Sequence, residues 1–190
     1  MARAGLTTES VISEAARLID ERGLDGLALA VVAEKLGVRV PSLYKHVDGL
    51  PALRRGVTIT AKKSLSEALG NAALGRSRDD ALTAISVAYR AWALAHPGLY
   101  PLAMLAPHPD EADDIAVSTA LVDVVFRVLA GYGLDGDDAV DATRFLRASL
   151  HGFVSLETGG GFALPVDLDR SYQRLTTSAI TALNTWTSSP

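Results

Sequence analysis

Cysteine is absent from the 190-residue chain, which removes disulfides, thiolate nucleophiles and Cys-ligated zinc. That absence is compatible with a reducing cytoplasm, the compartment expected for the protein. A continuous apolar segment is missing from Met1 to Glu9, so no secretory signal is expected there. The richest apolar stretch, Ile115 to Leu134, is not a clean membrane span either. Asp123 and Arg127 lie in its middle at i, i+4, an expensive placement in hydrocarbon, and the stretch reads as a buried helix. Enzymatic signatures are lacking as well: no Gly-rich phosphate loop follows a strand, and no nucleophile elbow or tightly spaced carboxylate pair occurs. Gly159-Gly160-Gly161 follows a helical pattern and precedes no phosphate-binding Lys, so it reads as a flexible loop. His96, His108 and His151, with Asp110 or Glu111, are too scattered for a compact ligand motif. Neither a metal nor another cofactor is expected, and the chain does not read as an enzyme.

What is present is helix. The length allows one large domain or two small ones and suffices to bury a core. The formal net charge of -4 hides an asymmetry: residues 1 to 63 hold ten Lys or Arg against seven Asp or Glu, and the remainder holds eight against fifteen. A mildly basic end on an acidic body points to a localised nucleic-acid footprint rather than general polyanion binding.

The basic end carries the most telling pattern. Leu29, Val32, Ala33 and Leu36 recur at i, i+3, i+4 and i+7, one apolar face of a helix. Gly37 is placed to end it in a left-handed turn, and Val38, Leu43 and Val47 supply the apolar side of a second short helix. Ala33 offers the small side chain that a steep crossing over a short turn needs. The other side of the second helix is polar, with Arg39, Ser42, Tyr44, Lys45 and His46. This is a helix-turn-helix with a face suited to DNA.

Elsewhere the spacing predicts helices joined by short breaks. Thr7 is a candidate N-cap with Leu6 placed to pack on Val11, and Ile12, Ala15, Ala16 and Ile19 form the stripe of a first helix closed by Gly23. Asp48-Gly49 marks a turn, after which Leu53, Val57, Ala61, Leu65 and Leu69 march along a long connecting helix. Ser77 and Asp80 resemble a capping box opening a helix through Leu82, Ile85, Tyr89, Trp92 and His96, stopped by Pro97. A short segment follows from Gly98 to Ala106. A largely apolar helix from about Asp114 to Gly131 is expected in the centre of a bundle, wrapped by neighbours. Residues 137–158 and 168–186 complete the set. The fold class is therefore all-α: a three-helix helix-turn-helix domain over 1–48, joined by a long helix to a C-terminal bundle within 49–190, about nine helices in all.

From Gly23-Leu24 to Leu53 the chain resembles the DNA-binding domain of the TetR family of bacterial repressors. The specific part is Leu36-Gly37-Val38 followed by Ser42-Leu43-Tyr44-Lys45-His46-Val47. Trp92, His96-Pro97-Gly98-Leu99-Tyr100, His151-Gly152-Phe153 and Leu156-Glu157 are similar to the WHG-type C-terminal domain that some of these regulators carry. The resemblance implies an all-helical homodimer whose C-terminal domain binds a small molecule and changes the spacing of two DNA-reading heads. It further implies that Pro41, Ser42 and Lys45 face the major groove, with Arg39 at the helix start, while Tyr44 and His46 hold phosphates. These side chains have the chemistry for those contacts. Ala28, Ala30 and Leu50 depart from the family: they stand where a Ser or Thr cap, a basic residue and a phosphate-binding Lys are usual.

A ligand-responsive bundle needs a lined cavity with a few polar anchors, and Trp92, His96, Tyr100, Met104, Phe126, Phe145 and His151 are the candidates. Aromatic residues at helical spacing also serve simply as core, and His96 and His151 as satisfied core histidines. Dimerisation is expected through the last two helices. Ala142, Ser149, Gly152 and Ser155 allow close helix approach, and Tyr172, Leu175, Ala179, Leu183 and Trp186 form a stripe that a lone chain would struggle to cover. The sequence thus reads as a transcriptional repressor that binds a pseudo-palindromic double-stranded operator and is released by a small-molecule effector. The alternative, motivated by Ala28, Ala30 and Leu50, is a helical ligand-binding or scaffolding protein that has lost specific DNA binding.

Overall fold

The structure, a computed structural model, describes residues 5–186. The first four residues of the stretch read as lacking a signal lie outside the described residues. Among the described residues the regular structure is entirely helical: α1 (Thr8–Arg22), α2 (Leu29–Leu36), α3 (Val40–Leu43), α4 (Gly49–Ala73), α5 (Arg78–Ala95), α6 (Tyr100–Ala103), α7 (Ala112–Ala130), α8 (Gly136–Thr158) and α9 (Leu168–Asn184), with a 3-10 turn at Leu24–Gly26. The all-α class with nine helices matches the expectation. No described helix is long and apolar enough to cross a membrane.

Contacts sort the chain into two compact units that do not follow chain order. The first runs up to Ser64 and adds His96–Ser118; the second takes Leu65–Ala95 and the chain from Thr119 on.

In the first unit, α1 begins where Thr7 and Ser10 cap each other. The Ser10 N–H donates to Thr7 Oγ1 at 3.1 Å, and the Thr7 N–H donates to Ser10 Oγ at 3.0 Å. It ends at Gly23, whose φ of 74° only glycine adopts readily and whose N–H reaches Ile19 O at 2.8 Å. Its buried residues are Val11, Ala15, Leu18 and Ile19; Ile12 and Ala16 are half-buried, so the inward face is turned slightly from the expected stripe. On α2, Val32 and Ala33 are buried and Leu29 and Leu36 flank them half-buried. Gly37 follows in the left-handed region (φ 67°, ψ 33°), and the Val38 N–H closes the turn on Ala33 O at 2.9 Å. On α4, whose residues from Leu65 on belong to the second unit, Leu53, Val57, Ala61, Leu65 and Leu69 are all buried, as their spacing predicts.

The same unit holds a buried ion pair that the sequence did not announce. Lys62, 1 % exposed, places Nζ 2.5 Å from Asp114 Oδ1 and donates to Ser118 Oγ at 3.1 Å. The His108 N–H donates to Asp114 Oδ2 at 2.9 Å. Burial pushes the Asp114 carboxyl up, but the Lys62 ammonium, the His108 N–H and the Ser118 hydroxyl together hold it below the usual carboxylate range.

In the second unit, α5, α8 and α9 pack together. Tyr172 on α9 is buried and donates its hydroxyl to Ser86 O on α5 at 2.7 Å. Arg90 on α5 grips Glu157 through two hydrogen bonds of 2.7 and 2.6 Å and Asp169 through a third of 2.7 Å, while its guanidinium lies 5.1 Å from the centre of the Tyr172 ring. These bonds, led by Glu157, hold the Arg90 cation still further from deprotonation than usual.

Two expectations are corrected here. The α7 helix is not wrapped on all sides: only Asp114, Val124, Val128 and Leu129 are buried on it, while Ile115 and Val122 are exposed. Its apolar character rests heavily on Ala112, Ala116, Ala120 and Ala130, all exposed, and an alanine loses little when left in water. The α9 stripe is not left open by a lone chain either. Tyr172, Ala179 and Leu183 are already buried within the chain, Leu175 is half-buried, and Trp186 lies beyond the helix end with its ring 5.9 Å from that of Phe145.

Candidate nucleic-acid interface

The residues around α3 are held from beneath and open above. Leu43 and Val47 are buried and fix the segment to the first unit, and the Thr8 hydroxyl donates to His46 O at 3.2 Å, tying the start of α1 to the turn after α3. Arg39 occupies the N-cap position and Pro41 sits in the first turn, where its fixed φ suits a helix start. The helix itself is shorter than its pattern predicts. It ends at Leu43, and Tyr44, Lys45 and His46 form a turn in which the His46 and Val47 N–H groups both reach Leu43 O.

The polar face persists through that turn. Arg39, Pro41, Tyr44 and Lys45 are exposed, and Ser42 and His46 are half-buried. Tyr44 keeps 58 % of its surface in solvent, a large exposure for an aromatic ring that the core does not need. Among the described residues, the side chains of Arg39, Tyr44 and Lys45 make no hydrogen bond or ion pair, and no acidic residue occurs from Arg39 to Val47. Two fixed cations, a phenol and an imidazole are thus presented on a stiff frame, which is the chemistry for phosphate oxygens and base edges. The three departures are equally visible. Ala28 caps α2 with no side-chain bond, Ala30 is exposed, and Leu50 is half-buried.

The effector candidates are divided. Trp92, Phe126, Phe145 and His151 belong to the second unit, with Trp92 buried and the other three half-buried. His96, Tyr100 and Met104 belong to the first. His96 places Nδ1 2.7 Å from Asp20 Oδ2 at the end of α1. Sequence reasoning passed over Asp20, which lies 76 positions from its partner, and nothing in the local pattern marks such a pair. Lys62 was passed over for a similar reason: it sits one position beyond Ala61 of the buried α4 stripe and reads as a solvated flank.

Relatives decide which family the chain belongs to. Residues 82–179 match the family described as Tetracyclin repressor-like, C-terminal domain. An uncharacterized HTH-type transcriptional regulator of Mycobacterium tuberculosis is 39 % identical over 158 residues, covering 83 % of this chain and 72 % of the relative. The chain belongs to the TetR family of transcriptional regulators. A second HTH-type regulator, YobS of Bacillus subtilis, is 34 % identical over 87 % of this chain and 86 % of its own length. Among solved structures, the Q116A form of TetR from Acinetobacter baumannii in complex with minocycline superposes with a TM-score of 0.72 at 19 % identity, over 97 % of this chain and all of that one. That likeness is one of fold. The family match over 82–179 also places the TetR-type C-terminal region on α5 to α9, and the chain is a DNA-binding transcriptional regulator of that family.

Proposed function

We propose that this regulator is a repressor that binds a pseudo-palindromic operator as a homodimer and is released by a small-molecule effector. The observation that carries the reading is the unpartnered cationic face of Arg39 and Lys45, with Tyr44 beside them, on a frame pinned by Leu43 and Val47. Residues 1–48 would read DNA, with Pro41, Ser42 and Lys45 toward bases and Tyr44 and His46 toward phosphates, and 49–190 would bind ligand and dimerise. Two heads related by a twofold axis meet successive major grooves about 34 to 36 Å apart, or a multiple of that.

Dimerisation through α8 and α9 is supported by the exposed side of α8. A side chain at Gly152 would meet nothing within 4 Å, and Ser149 and Ser155 lie on the same side, so a second helix has room to approach closely. Ala142 is fully buried and takes no part. The effector acts only through a difference in affinity between the DNA-fitting and non-fitting arrangements. Trp92, Phe126, Phe145 and His151, with His96, Tyr100 and Met104, remain the residues proposed to respond to it. The Acinetobacter TetR, a protein of the same fold obtained in complex with minocycline, supports this reading.

The test is selection of duplex DNA from a random pool at moderate salt. An enriched palindrome, lost on Lys45→Glu or Arg39→Glu, is the expected result; no enrichment counts against the reading. The uncapped Ala28, together with Ala30 and Leu50, favours the second reading, a ligand-binding or scaffolding protein without specific DNA affinity. Regulation unaffected by either charge reversal would establish it.

A further inference from the structure

A half-open cleft of about 410 Å³ lies within the first unit, between α4, the 3-10 turn at Leu24, and the chain from α6 to Glu111. That volume falls in the range of small-molecule sites, about 300 to 1,000 Å³. Most of its wall is carbon, and Leu24, Ile59, Leu102 and Leu105 are among the residues that line it. An apolar wall alone does not name an occupant, but the charges around it do.

Both carboxylates that line the cleft are already neutralised. Asp114 is taken by Lys62 and by the His108 N–H, and Glu111 Oε1 lies 3.0 Å from Arg55 Nε. Arg54 is left over: it lines the cleft and makes no hydrogen bond or ion pair among the described residues. His108 adds a donor. Its Nδ1 accepts the Asp110 N–H at 3.4 Å, which leaves the proton of the neutral ring on Nε2. The cleft therefore combines an apolar chamber with one unopposed guanidinium and an imidazole N–H.

We propose that this cleft binds an apolar organic anion, a carboxylate with a hydrocarbon body, with the body against Leu24, Ile59, Leu102 and Leu105 and the carboxylate on Arg54 and His108. A planar guanidinium suits a carboxylate because both oxygens can be met at once. The residues that line the cleft all belong to the first unit, and Trp92, Phe126, Phe145 and His151 are not among them. Its existence does not depend on what the protein does to DNA.

The probes are decanoate and 1-decanol, which share a chain and differ in charge, titrated calorimetrically into the full-length protein near pH 7. Two variants on exposed positions accompany them: Arg54→Gln removes the charge, and Ala106→Trp fills the chamber from its rim. Circular dichroism checks that both remain folded. The expected result is one decanoate site per chain, with affinity reduced about tenfold or more by each substitution and about tenfold or more weaker for 1-decanol. Decanoate binding that survives both substitutions, equal affinity for the alcohol, or no binding below millimolar concentration overturns the proposal. So does an Arg54→Gln protein that keeps decanoate affinity but loses DNA affinity in a salt-dependent way, because Arg54 would then serve backbone phosphate.

Discussion

Asp20 and His96 are joined by a 2.7 Å contact from Oδ2 to Nδ1, while Asp20 Oδ1 accepts the Gly98 and Leu99 N–H groups at 3.1 Å each. One carboxylate at the end of α1 thus fixes the turn that starts α6. The turn comes so close that a Cβ on Gly98 would sit 2.0 Å from Ile19 O, a distance that forces the backbone apart. Removing the carboxylate strands two N–H donors in a partly buried place, so Asp20→Ala is expected to cost about 1 to 3 kcal/mol. Asp20→Asn keeps an acceptor for those donors and is expected to cost less. Gly98→Ala is expected to exceed both, and thermal unfolding of the three variants checks the order.

The Lys62–Asp114 pair gives a second expectation. Asp114→Asn leaves an ammonium in a 1 % exposed site without its counter-charge, and breaking such a pair costs about 3 to 5 kcal/mol. Replacing both partners, Lys62→Met with Asp114→Leu, removes the stranded charge and is expected to restore most of that loss. Because the folded carboxyl titrates below its ordinary value, its contribution is fully present above about pH 4. It is lost as pH falls further, through the folded value. Urea melts between pH 3 and 6 should therefore show a steeper acid loss for the parent than for the double variant.

The part of the fold that was legible in the sequence is the part written in local spacing. The α4 stripe from Leu53 to Leu69, the Thr7 cap, and the Gly23 and Gly37 stops all need only near neighbours, and each stands where its residue type demands. The α7 and α9 readings failed because a periodic stripe says which face is apolar and not who covers it. Ala112, Ala116 and Ala120 tolerate water, while Tyr172 finds its cover on α5, 86 positions away at Ser86. The polar face around α3 was legible because its residues are contiguous. The pairing of Asp20 with His96 and of Lys62 with Asp114, and the cleft beside Arg54, arise from residues far apart in the chain that share no pattern.

Ala28 leaves the first turn of α2 without a side-chain acceptor although its backbone is extended, as an N-cap requires (φ -139°, ψ 145°). Ala28→Ser or Ala28→Thr supplies that acceptor with no change of backbone. The expected gain is about 1 kcal/mol, which raises Tm by roughly 2 to 4 °C in a chain of this size. Differential scanning calorimetry measures it, and an unchanged Tm would mean that water already serves those N–H groups equally well.

Gly152 separates the proposed dimer from the fold. Because a side chain there would meet nothing within 4 Å of its Cβ in the lone chain, Gly152→Arg is expected to leave the unfolding temperature of the protomer nearly unchanged, apart from about 1 kcal/mol of helix propensity in its favour. In a dimer built on that face of α8, the same arginine would wedge two helices apart and place two like charges together. Sedimentation velocity should then show the parent as a dimer and the variant as a monomer. A monomer that retains an intact helix-turn-helix offers one reading head instead of two, so its affinity for a palindrome should drop toward that for a half-site. A Gly152→Arg protein that stays dimeric would move the interface off this face of α8 while leaving the assignment of the DNA-reading residues untouched.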